Sequence, residues 1–85
     1  MKTDELLTEL ARVLTPHVGR TMAEASTRAQ CQKLGLNGPT LAPDQAEALI
    51  AKLGSGLAVF VGRQTSASVV EEMRRAVAAA PGGSE

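Results

Sequence analysis

Apolar side chains recur at helical spacing from the start of the chain. Leu6, Leu7, Leu10, Val13 and Leu14 form one stripe, and with Thr3 as an N-cap and Asp4 and Glu5 in the first turn they predict a helix over 3–14. A second stripe, Val18, Met22, Ala25 and Ala29, is spaced by four, three and four. It predicts a longer helix over 16–34, with Thr15 as cap and Pro16 at the first helical position. Gly35 is placed to end it, and Lys33 suits the negative end of its dipole. The other segments are expected to pack around this helix.

Asn37-Gly38-Pro39 reads as a loop. Pro43 opens a third helix over 43–53, with Ala46, Leu49, Ile50 and Leu53 facing inward and Leu41 packing on Ala46. Gly54-Ser55-Gly56 reads as a flexible joint. The apolar run Leu57 to Val61 suits a strand or a short helix. Nothing else in the chain looks like a strand to pair with it, so the helix is favoured, with Leu57, Phe60 and Val61 inward. The last helix is expected to start between Thr65 and Ser68, with Ser68 and Glu71 as a capping box. Its apolar face is Val69, Val70, Met73 and Val77. Pro81 ends it, and residues 81–85 read as a disordered tail. No internal repeat is evident. The expected fold is all-α: a compact bundle of four to five short helices around a long second helix, in a single domain over 1–80.

Gly19, Ala23, Ala25, Ser26, Thr27 and Ala29 give the second helix narrow flanks. If Val18, Met22, Ala25 and Ala29 meet the first and third helices, the opposite side lies either under the last helix or exposed, and at least part of it is expected to remain for a partner. Arg20, Ala23, Thr27 and Leu34 are therefore the candidate partner-binding residues, and a homodimer through that face is expected. Self-association would also help a chain of 85 residues that has one aromatic side chain and a small core.

Formal net charge is zero, which argues against an electrostatic grip on nucleic acid or on an acidic membrane. The opening MKTDELLTEL is too acidic for a signal peptide, and LAVFV is too short to span a bilayer. A lone cysteine forms no internal disulfide, so a reducing cytoplasm is the expected location.

Candidate chemistry is sparse. His17 and Cys31 are the only residues of their kind, fourteen apart on one expected helix, too far to act as a pair. One His and one Cys hold no metal cluster. VFVGRQTS lacks the lysine of a phosphate loop and the second glycine of GxGxxG. No catalytic residue, cofactor or metal is implied, and an enzyme is not expected. TSASVVEEMRRAV supports the main alternative, a DNA-binding regulator of helix-turn-helix type. Thr65, Ser66 and Ser68 would face bases, with Arg63, Arg74 and Arg75 on phosphates. Glu71, Glu72, the neutral charge and the greasy LAVFVG segment count against it.

Residues 6–30, LLTELARVLTPHVGRTMAEASTRAQ, resemble a small helical module at the ends of bacterial signalling proteins, including Ser/Thr kinases and cyclases. There a leucine-rich helix leads into a hydrophobic-Gly-Pro-hydrophobic-Ala segment. Here Val18, Gly19, Arg20, Thr21 and Met22-Ala23 occupy it, so the proline and the following apolar residue are replaced. The resemblance covers the first third of the chain. It implies an appended interaction or regulatory domain and supplies no active-site residues. The sequence reading is therefore a small bacterial adaptor that binds protein, itself included.

Overall fold

Two glycines set the architecture. The computed structural model describes residues 2–79 and contains four α-helices: α1 (Thr3–Val18), α2 (Arg20–Lys33), α3 (Pro43–Val61) and α4 (Arg63–Ala79). Gly19 alone separates α1 from α2, and Gly62 alone separates α3 from α4. Their backbones match, with φ 87° and ψ 157° at Gly19 and φ 87° and ψ 164° at Gly62. That region of backbone space is open essentially to glycine only. The bonds around each are also the same. Gly19 N–H donates to Thr15 O and Ala23 N–H to Gly19 O, as Gly62 N–H does to Ala58 O and Ser66 N–H to Gly62 O.

This symmetry corrects the expectation of no repeat. Leu6, Leu10, Leu14, Val18, Gly19 and Arg20 recur as Leu49, Leu53, Leu57, Val61, Gly62 and Arg63, each 43 residues on. The molecule is two helical hairpins of one design, joined by the loop over 34–42. The buried leucines of both copies, Leu6, Leu10, Leu14, Leu49, Leu53 and Leu57, enter one core with Ile50, Val69 and Met73. Within the bundle α1 lies against α2 and α4, and α3 lies against α4 and α2. The first helices of the two hairpins also touch across the centre, whereas α2 and α4 do not.

Several expected boundaries move. The long second helix over 16–34 does not form. Pro16 lies inside α1, and α2 is the shortest of the four helices. Pro16 is exposed near the end of α1, so water can satisfy the carbonyl its missing N–H leaves free. Thr15 does not cap: its hydroxyl donates back to Ala11 O at 2.7 Å. Nor does Thr3, whose hydroxyl donates to Gly38 O at 2.6 Å and so ties the start of α1 to the loop. Helix α3 runs straight through the expected joint Gly54-Ser55-Gly56 and is the longest element. Residues 57–61 are its last turns, helical as favoured. The last helix starts at Arg63, so Ser68 and Glu71 lie within it instead of capping it. The expected tail at 81–85 lies outside the described residues.

Gly54 stays helical because tight packing offsets its conformational cost. A Cβ there would lie 2.5 Å from Val70 Cγ2. The buried Ser66 hydroxyl donates to Gly54 O at 2.6 Å. Arg74 then links the same two helices at the surface, bonding Glu47 of α3 and Glu71 of α4. Both carboxylates raise its pKa, Glu47 more than Glu71.

Candidate functional site

Helix α2 is rotated from its expected orientation. Ala23, Thr27 and Cys31 are its buried residues, while Met22, Ala25 and Ala29 are exposed. Ala23 is 0 % and Thr27 1 % exposed, so neither offers a surface to a partner in this fold. The physical reason is the hairpin. The turn at Gly19 folds α2 back on α1, and small side chains at Ala11 and Thr27 share that seam. Thr27 hides its hydroxyl by donating to Ala23 O at 2.7 Å. Arg20 is exposed but lies on the outer α1–α2 seam, pairing with Glu24 at 3.4 Å. Leu34 is exposed just past the end of α2. The four candidate residues therefore do not form one surface.

An uncovered apolar surface does exist, on the side where α2 meets α3. A groove of about 160 Å³ is lined by Leu14, Val18, Met22, Leu53, Leu57 and Phe60, with Ser26, Gln30, Lys52 and Gly56. Met22 is 46 % and Phe60 69 % exposed on its rim. Phe60 was expected to point inward, and that expectation is corrected: Leu57 and Val61 take the inward positions.

The repeat explains why the groove is open. Shifting by 43 residues maps the α2/α3 seam onto the α1/α4 seam, which is closed. Val69 and Met73 of α4 and Val13 of α1 are buried there. Their counterparts in the other seam are Ser26, Gln30 and Gly56, too small or too polar to fill it. One hydrogen-bonding group is left over: Gln30 Oε1 is buried and has no partner among the described residues. An uncompensated buried acceptor is costly.

The residues considered for chemistry stand apart. His17 is exposed beside the Gly19 joint. Cys31 lies at the far end of α2, on a different helix from His17, about 16 Å along the axis from the start of α2. Its thiol is buried, donates to Leu36 O at 3.2 Å, and is pushed above the ordinary thiol range by desolvation. That disfavours the reactive thiolate. No group of three or more His, Cys, Asp or Glu is placed to hold a metal among the described residues. No helix among them is long and apolar enough to cross a membrane. Of the residues considered for DNA binding, Ser66, placed against bases, is buried against Gly54, and Arg74, placed on phosphates, is engaged by Glu47 and Glu71.

Compared with protein-family models, curated proteins and solved structures, the chain matches none of them.

Sequence reasoning missed the groove because it placed the α2 stripe inward. Met22 and Ala25 share a helical face with Val18, but Gly19 interrupts the helix between them, so the period does not carry across. The recurring Val-Gly-Arg at 18–20 and 61–63 was the signal that would have found the turn.

Proposed function

We propose that this chain is a protein–protein interaction module, a small adaptor or regulatory domain of bacterial type acting in the cytoplasm. One observation carries the reading: the α2/α3 seam leaves Met22 and Phe60 uncovered around an apolar groove, while its counterpart between α1 and α4 is filled. Large apolar side chains clustered at the surface are characteristic of contact sites. The likeness of residues 6–30 to modules appended to bacterial kinases and cyclases fits the same role. The module binds through the α2/α3 groove, not through Ala23 and Thr27.

The test uses the full chain immobilised as wild type and as the double variant Met22→Ser/Phe60→Ser. A protein retained by the wild type and lost from the variant, another copy of the chain included, is the expected result. Equal recovery on both, with equal melting temperatures, would remove the groove from consideration. Steep loss of duplex DNA binding with salt would favour the regulator reading instead.

A further inference from the structure

Among the described residues of one copy, nothing packs where a side chain at position 56 would lie. It lies in the middle of α3, where glycine is unfavourable relative to alanine. A Cβ added there would meet nothing within 4 Å among the described residues, unlike one at Gly54. Lys52 and Phe60 stand one turn to either side of it on the same ridge. Lys52 joins no ion pair among the described residues. Phe60, the only aromatic residue of the chain, is largely exposed, and so is Val59 beside it. The adjacent groove of about 160 Å³ is of the size that accepts a benzene ring. The molecule thus carries an exposed phenyl group on the rim of an open groove large enough to take the ring of another copy.

We infer that two copies pair through α3, antiparallel, crossing at Gly56, with each Phe60 seated in the groove of the other. This rests on the interaction reading above and names its partner as a second copy. A two-fold axis at Gly56 opposes residues equidistant from it, so the phenyl of one copy lies over Lys52 of the other. The missing Cβ lets the two backbones approach closely. The lysine stem lies along the ring and its ammonium meets the ring face. The two lysines stay about 12 Å apart along the helices, beyond a Debye length at physiological salt. Phe60 alone leaves on the order of 100–170 Å² uncovered in one copy. A specific dimer buries roughly 800 Å² per partner. Helix α3 is about 28 Å long, and the exposed Val59 and Met22 with the flank of α2 widen the contact beyond Phe60 toward that size.

Sedimentation of the full chain across a concentration series tests the arrangement. The wild type should dimerise, and Phe60→Ala and Gly56→Gln should each weaken the dimer at least tenfold. Dilute Gly56→Gln should melt no lower than wild type, because its side chain enters open space in the monomer. Gly56→Cys in a Cys31→Ser background should cross-link to a covalent dimer under mild oxidation. A wild type that stays monomeric at high micromolar concentration overturns the inference. So does a dimer that survives both substitutions. Groove-dependent capture of another protein by a monomeric wild type would leave the interaction reading standing, so the two fail separately.

Discussion

Gly54 and Val70 sit closer than any other residue type at position 54 would allow: a Cβ on Gly54 would lie 2.5 Å from Val70 Cγ2. The α3–α4 hairpin is built on this approach. Gly54→Ala should therefore destabilise the protein by about 1–3 kcal/mol, although alanine is the better helix former. Val70→Ala should recover part of that loss, and a double-mutant cycle from denaturant melts measures it. Additive effects would mean that the two side chains do not meet.

The joints at Gly19 and Gly62 should respond alike. Both hold a conformation that other residues avoid, and at neither would a Cβ meet an atom of the described residues within 4 Å. Alanine at either site should cost about 1–3 kcal/mol through the backbone alone. A marked difference between the two in thermal melts would show that the repeat is not energetically symmetric.

Thr27→Arg is expected to abolish cooperative unfolding, because Thr27 is buried and an arginine there would bring an unpaired charge into the α1–α2 seam. Thr27→Val keeps the shape and loses only the bond to Ala23 O, so it should cost less than about 1.5 kcal/mol. A folded, helical Thr27→Arg protein would show that this side of α2 is open after all.

Cys31 makes stability depend on alkaline pH. Its pKa in the folded protein lies above the ordinary thiol value, so the unfolded chain releases the proton first. The contribution is fully present below the unfolded thiol pKa, about 8.5, and is lost as pH rises through the folded value. Urea midpoints between pH 7 and 10 should fall more steeply for wild type than for Cys31→Ser. Parallel curves would exclude the thiol as the cause.

The helical content and most of the core were legible because leucine and valine stripes at Leu6–Leu14 and Leu49–Leu53 report burial directly. Orientation of α2 was not. Its face depends on where the chain turns, and Thr15-Pro16 carries a stronger local start signal than the bare Gly19 does. Tertiary packing decided between them, because only a glycine at 19 could reverse the chain in one residue. For the same reason Gly54-Ser55-Gly56 looked like a joint. Neither the close approach of Val70 nor the Ser66 hydroxyl on Gly54 O can be read from residues 54–56 alone. The candidate site was legible only as composition. Phe60 stood out as the single aromatic, but its exposure follows from the uninterrupted turns of α3.

The one-residue joints also bear on how fast the chain can find its fold. Each hairpin brings its helices together at almost no loop-closure cost, so half of the architecture is local in sequence. What remains is docking one hairpin on the other across the loop over 34–42. Such a topology belongs with the fast-folding helical proteins, in the microsecond to millisecond range. The rate should then be set by the meeting of α1 with α4, the seam whose valines and methionine interlock.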